Sequence, residues 1–149
     1  MSTIFADKFK NTSGGNNVKV NQLSGIDTAG SITVQGEGTA TTNLQQGLNK
    51  VWMRWDMVAS SLEDSFNISG FTDVSTGLSQ FNYSSSMSNG NYSIAGIAGE
   101  KTGGGNRVLG VNGNSSAPTT ALIRFKSFNT SFSGTDIDVC AATVNGDLA

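Results

Sequence analysis

The chain has no histidine, one cysteine and one proline, and only 13% of its residues are charged. Without histidine there is no ordinary general base near neutral pH, no Ser-His-Asp or Cys-His arrangement, and no imidazole ligand for zinc. A single cysteine, Cys140, cannot form an internal disulfide or a multi-cysteine metal site, which suits synthesis in a reducing cytoplasm. There is no run of about 18 apolar residues to span a bilayer as a helix. The opening MSTIFADKFKN has no apolar h-region, so neither membrane insertion nor Sec-type export is expected. The formal net charge is −2, and the nine Lys and Arg residues are scattered along the chain. Binding that neutralises several phosphates needs clustered basic residues, so nucleic acid is set aside as a partner.

What takes the place of charge is Gly, Ser, Thr and Asn, with hydrophobic residues at 36%. Disorder of the ordinary kind needs self-repelling charge as well as few apolar groups. Many short strands joined by turns account for the same composition, because Gly, Asn, Asp and Ser are the turn formers. At 149 residues one domain with an arm is expected.

Residues 1–29 hold two short extended candidates, 3–9 and 17–23, with Val18 and Val20 alternating with Lys19 and Asn21. Neither offers enough apolar area to fold alone. They read as an attachment arm, with Ile4, Phe5, Phe9, Val18 and Val20 as anchors, or as an edge hairpin of the domain. A brief strand follows at 31–35, with Ile32 and Val34 on one face, and Gly36, Glu37 and Gly38 break it as a turn. Thr42 and Gln45 stand at capping-box spacing, and Leu44, Leu48 and Val51 share a helical face. Gly47 restricts that helix to one or two turns. From Lys50 the period becomes two: Val51, Met53, Trp55 and Met57 point one way, Trp52, Arg54, Asp56 and Val58 the other. Leu44, Leu48, Val51, Trp52 and Trp55 are the candidate subunit contacts, given the enrichment of Trp at interface hot spots. Each tryptophan also has a place in a core, or as a platform for a sugar.

Further strands are expected at 65–71, 79–84, 91–97, 107–111, 122–128 and 136–144. Phe66 and Ile68 share a face in the first of these, and Phe81 and Tyr83 in the second. The cluster 72–77 reads as the hairpin loop between them, and 100–106 as a glycine-rich tip. In the last strand Ile137, Val139, Ala141 and Thr143 line one face, with Cys140, Ala142 and Val144 on the other. Small apolar neighbours make Cys140 a buried small hydrophobe rather than a reactive thiol. The expected fold is all-β: an antiparallel β-sandwich, jelly-roll-like, over residues 30–149, with an extended N-terminal arm and at most one short helix.

No catalytic arrangement stands out. A glycosidase would have to use carboxylates such as Glu63 and Asp64, or Asp136 and Asp138. The last two share a strand face and could ligate Ca²⁺ or Mg²⁺, but a solvated strand entry is the preferred reading of them, and no metal site is expected. The Gly103-Gly104-Gly105-Asn106 loop lacks the spacing and the lysine of a phosphate-binding loop. Tyr83 and Tyr92 with nearby asparagines are plausible glycan contacts. No cofactor is expected.

Three pieces, GSITVQGEGTATTNLQQGLNKVW, LEDSFNISGFTDVSTG and FNYSSSMSNGNYSIAG, resemble a module of tail-fibre and related virion surface proteins of tailed bacteriophages, particularly those of marine bacteria. The likeness covers residues 31–99, with a weaker match to the end, and the opening MSTIFADKFKNTSGGNNVKVNQ is similar to the N-terminal segments of such proteins. The resemblance implies a non-enzymatic protein of the virion, a homotrimer fastened to tail or capsid proteins by its arm and displaying a β domain that contacts the host surface. Such fibres often carry long repetitive shafts, which this sequence lacks. A short fibre, knob or capsid decoration protein is therefore the expectation. A glycan-binding module without a structural role is the alternative.

Overall fold

A computed structural model describes residues 21–23, 32–35, 39–101, 105–112 and 118–149. The anchors Ile4, Phe5, Phe9, Val18 and Val20, the boundary between residues 29 and 30, and Glu37 lie outside the described residues.

The described chain begins with a small ladder. Strand β1 (Thr33–Gln35) pairs antiparallel with β2 (Thr41–Asn43), and the single helical turn α1 (Leu44–Gly47) follows at once. Thr42 lies in β2 rather than at the helix cap, and the Leu44 amide donates to the Ile32 carbonyl at 2.9 Å. Gly47 ends the turn, in keeping with its poor helix propensity.

Eight further strands make two four-stranded antiparallel sheets. They are β3 (Val51–Asp56), β4 (Ser61–Phe66), β5 (Ile68–Ser75), β6 (Leu78–Tyr83), β7 (Ser93–Gly99), β8 (Val108–Val111), β9 (Leu122–Phe128) and β10 (Val139–Asn145). One sheet runs β4-β3-β10-β7 and the other β5-β6-β9-β8. Period-two alternation explains why they face each other. Val51, Met53 and Trp55 of β3, with Cys140, Ala142 and Val144 of β10, meet Phe81 and Tyr83 of β6 and Ile123 and Phe125 of β9 in one buried cluster. The Trp55 ring bridges the layers, with its centroid 4.8 Å from that of Phe81 in an edge contact and 5.4 Å from that of Phe125. Burial of each large apolar side chain contributes about 1.5–3 kcal/mol, so this layer is the main source of stability. The fold is thus all-β with almost no helix, as expected. The ladders do not show jelly-roll pairing: β3 pairs with the last strand, but β4 pairs only with β3.

Several details differ from expectation. The strand expected over 65–71 is cut at Asn67, which takes φ 61° and turns the chain from one sheet to the other. Asn tolerates this left-handed region better than most residues. Its side chain holds the corner by accepting from the Ser85 amide at 2.6 Å and donating to the Ser85 carbonyl at 3.1 Å. Phe66 therefore lies exposed while Ile68 packs on the core, so the two do not share a face. The cluster expected as a six-residue loop is mostly strand, since β5 runs to Ser75 and only Thr76 and Gly77 turn. Gly77 has φ 70°, and a Cβ there would lie 2.6 Å from the Thr135 amide nitrogen. Ile137 precedes β10 and is fully buried rather than aligned with Val139.

Candidate functional site

The face of the β3 sheet that looks away from the core carries the surface features of interest. Register fixes its rows. Phe66, Trp52, Thr143 and Ala95 stand side by side across β4, β3, β10 and β7, and Asp64, Arg54, Ala141 and Ile97 make the next row. Small residues in the middle and larger ones outside leave an open trough of about 500 Å³. Trp52 and Arg54 wall it on one side and Ile97 on the other, over Ala141 and Thr143, with Asn49 at one end. Trp52 is 36% exposed, Phe66 54% and Ile97 66%. A shallow, mostly apolar trough does not enclose a small ligand as binding cavities do. Contact sites for other macromolecules are one class of surface that exposes contiguous apolar side chains.

Beside the trough lies an ion network built by a β-bulge. The register of β4 against β3 shifts between Arg54 and Trp55, leaving Glu63 as the extra residue. Glu63 reaches the Arg54 Nε at 2.5 Å and lies 3.7 Å from the Lys101 Nζ. Lys101 also donates to Asp56 at 2.9 Å, and the Ala59 amide donates to the same carboxylate at 2.7 Å. Asp56, expected on the open face, is thereby buried beneath Lys101. Burial pushes its carboxyl pKa up, but the Ala59 amide and the Lys101 ammonium more than offset this and hold it below the ordinary value. The Asp56 hydrogen bond in turn raises Lys101 above the usual lysine range. The network ties the 100–101 loop to β3 and β4.

The five candidate contact residues divide. Trp52 and Leu48 are exposed, Leu44 is half-buried, and all three remain available to a partner. Val51 and Trp55 do not: both are 0% exposed, enclosed by the second sheet, because the alternation of β3 sends them inward. They are core residues, and their assignment as subunit contacts is corrected. The tyrosines also move. Tyr83 is buried, and its hydroxyl bonds that of Tyr92 at 3.0 Å. The Tyr92 hydroxyl is 3.1 Å from the Thr119 carbonyl and 3.3 Å from that of Leu122. Burial raises both phenol pKa values. Their hydroxyls staple a loop rather than await a sugar. The Tyr92 ring still lines a second, polar notch of about 320 Å³ with Asn89, Asn91, Ser93, Asn145 and Asp147.

Asp136 and Asp138 each have a backbone partner. Asp136 accepts from the Gly77 amide at 2.6 Å and Asp138 from the Lys101 amide at 2.9 Å. Asp64 accepts from the Ser65 amide at 2.8 Å. No group of three or more His, Cys, Asp or Glu side chains comes together as a metal site among the described residues. Cys140 is buried, and burial pushes its thiol up to about 12. Of the glycine-rich loop, residues 102–104 lie outside the described residues. Gly105 is described: its amide donates to Glu100, which also pairs with Arg107.

Phe66, Ile97, Ala141 and Thr143 were absent from the sequence-derived contacts. Ile94 and Ile97 are three apart on one strand, which puts them on opposite faces, so an outward isoleucine was readable there. The floor was not, because it depends on β10 lying between β3 and β7. No protein-family model, no curated protein and no solved structure matches the chain.

Proposed function

We propose that this chain is a non-enzymatic structural protein of a tailed-phage particle. It is a short fibre, knob or capsid decoration component that works as an oligomer, fastened through residues 1–29 with its β domain displayed outward. The observation that carries the assembly role is the outer face of the β3 sheet, where Trp52, Phe66 and Ile97 stand in solvent around a floor of small side chains. Rigid strands present this surface, and Trp is the side chain most enriched at interface hot spots. The phage assignment rests on the likeness over residues 31–99. Deleting residues 1–29 tests it: the truncated protein should stay folded and oligomeric but no longer associate with particles. If it still decorates them, the anchoring role is wrong.

A second reading, glycan binding at a host surface, draws on the polar notch beside Tyr92 and on the exposed Trp52 ring. Glycan-array binding by the purified protein that is lost in Trp52→Ala or Asn91→Ala would favour it. Absence of binding at high protein concentration counts against it.

A further inference from the structure

The strands at the two ends of an open sheet carry a row of N–H and C=O groups with no partner, and soluble proteins guard such edges with charge, bulges, proline or shortness. This sandwich has four edge strands, β4, β7, β5 and β8. Strand β4 carries Glu63 and Asp64 and the bulge opposite Arg54. Strand β5 carries Asp73 and two register shifts. Strand β8 has only four residues. Strand β7, SIAGIAG, has none of these guards. It is seven residues long, uncharged and free of proline, and it pairs with β10 at all seven positions without a shift. Among the described residues nothing pairs with its outer edge. The adjoining surface is apolar: Ile97 is exposed on β7, and Val108 and Val111 on β8, whose Leu109 packs against Gly96.

We propose that β7 is an assembly edge whose partner is β7 of a second copy, paired antiparallel about a two-fold axis at Gly96. The strand's own side chains select this occupant. About Gly96, Ala95 of one copy faces Ile97 of the other on the outer face, Ile94 faces Ala98 on the core side, and Ser93 faces Gly99. Every large side chain meets a small one, and this is the only two-fold register that uses all seven residues. No charge opposes itself across the axis, whereas the same pairing of β4 would bring its own carboxylates together, at a cost for like charges directly opposite. The result is one continuous eight-stranded sheet, β4-β3-β10-β7-β7-β10-β3-β4, with the two apolar troughs on the same side. An isologous edge closes as a dimer, so this pairing replaces the trimer that the resemblance implies. It deepens the proposed assembly role and can fail separately from it.

The test uses disulfide trapping in the full-length protein. Cβ atoms of directly opposite residues lie about 4.5–5.5 Å apart, close to disulfide span, and the native Cys140 is fully buried. Under mild oxidation, Ala95→Cys protein mixed with Ile97→Cys protein should give a cross-linked dimer, while either variant alone gives far less. Ile97→Lys, at a solvent-exposed position, should keep the native far-UV circular dichroism spectrum and, at concentrations where both proteins are monomeric, the native unfolding temperature. It should weaken dimerisation by roughly tenfold or more. Equal cross-linking in all three samples, none in the mixture, unchanged dimerisation of Ile97→Lys, or a trimeric intact protein each overturns the β7 pairing. An oligomer that fails to cross-link leaves the particle-protein reading standing. A β7 dimer that is absent from particles overturns that reading alone.

Discussion

Trp55 and Trp52 stand three residues apart on one strand, and replacing each in turn separates the core from the surface. Trp55 is fully enclosed, in ring contact with Phe81 and Phe125. Truncation to alanine removes the whole bridge between the sheets and leaves a cavity, a change that costs about 3–5 kcal/mol in comparable cores. At about 3–4 °C per kcal/mol for a domain near this size, Trp55→Ala should lower the unfolding midpoint by roughly 10–20 °C. Trp55→Phe should cost much less than its loss of volume suggests. The indole Nε1 is buried without a hydrogen-bond partner among the described residues, and leaving such a donor unmade costs about 1–3 kcal/mol in the native protein. Phenylalanine removes that penalty along with part of the ring, so a net change near 1 kcal/mol is expected. Trp52→Ala should change the stability of the unassociated chain by less than about 1 kcal/mol. Guanidinium titrations followed by far-UV circular dichroism, with all variants at low concentration, measure the three values. A larger loss for Trp52→Ala than for Trp55→Ala would refute the inward and outward assignment of β3.

Gly77→Ala places a Cβ at a position with φ 70° and within 2.6 Å of the Thr135 amide nitrogen, and should cost about 1–3 kcal/mol by chemical denaturation; an unchanged midpoint would contradict the turn. Asp56 has a pKa held below that of the unfolded chain. Its contribution is therefore complete above about pH 4 and is lost as pH falls through the lowered native value. The stability gap between wild type and Asp56→Asn should narrow as pH falls below about 4, the ordinary carboxylate range, and a gap independent of pH would refute the Lys101 pairing. Cys140, with its thiol raised to about 12 by burial, should react with a thiol reagent at pH 8 only at the rate of unfolding. Rapid labelling of the native protein would place it at the surface.

Local pattern made much of the fold legible. The period-two run from Val51 to Met57 sorted its inward residues correctly, and Leu122–Phe128 has the expected bounds. In β10 the split between Cys140, Ala142 and Val144 and their neighbours also holds. What failed has local causes of another kind. Phe66 and Ile68 look like one strand because nothing in their spacing shows that Asn67 turns the chain to the other sheet. Residues 72–75 are polar except for Val74, as in a loop, yet extend β5, an edge strand with much of its surface in water. The outward Trp52 was legible, but the trough beside it was not. Its floor and far wall come from β10 and β7, strands far along the chain, and only the strand order puts them beside β3. The β7 edge is the intermediate case: its uncharged SIAGIAG sequence is plain, but its being an edge is a fact of topology.

The most direct test of the account is the molar mass of the full-length protein by light scattering over a range of concentrations. An assembly protein with an unguarded β7 edge and an apolar outer face should show a mass twice that of the chain, falling to one on dilution. A monomer at every concentration would contradict both the assembly role and the edge pairing.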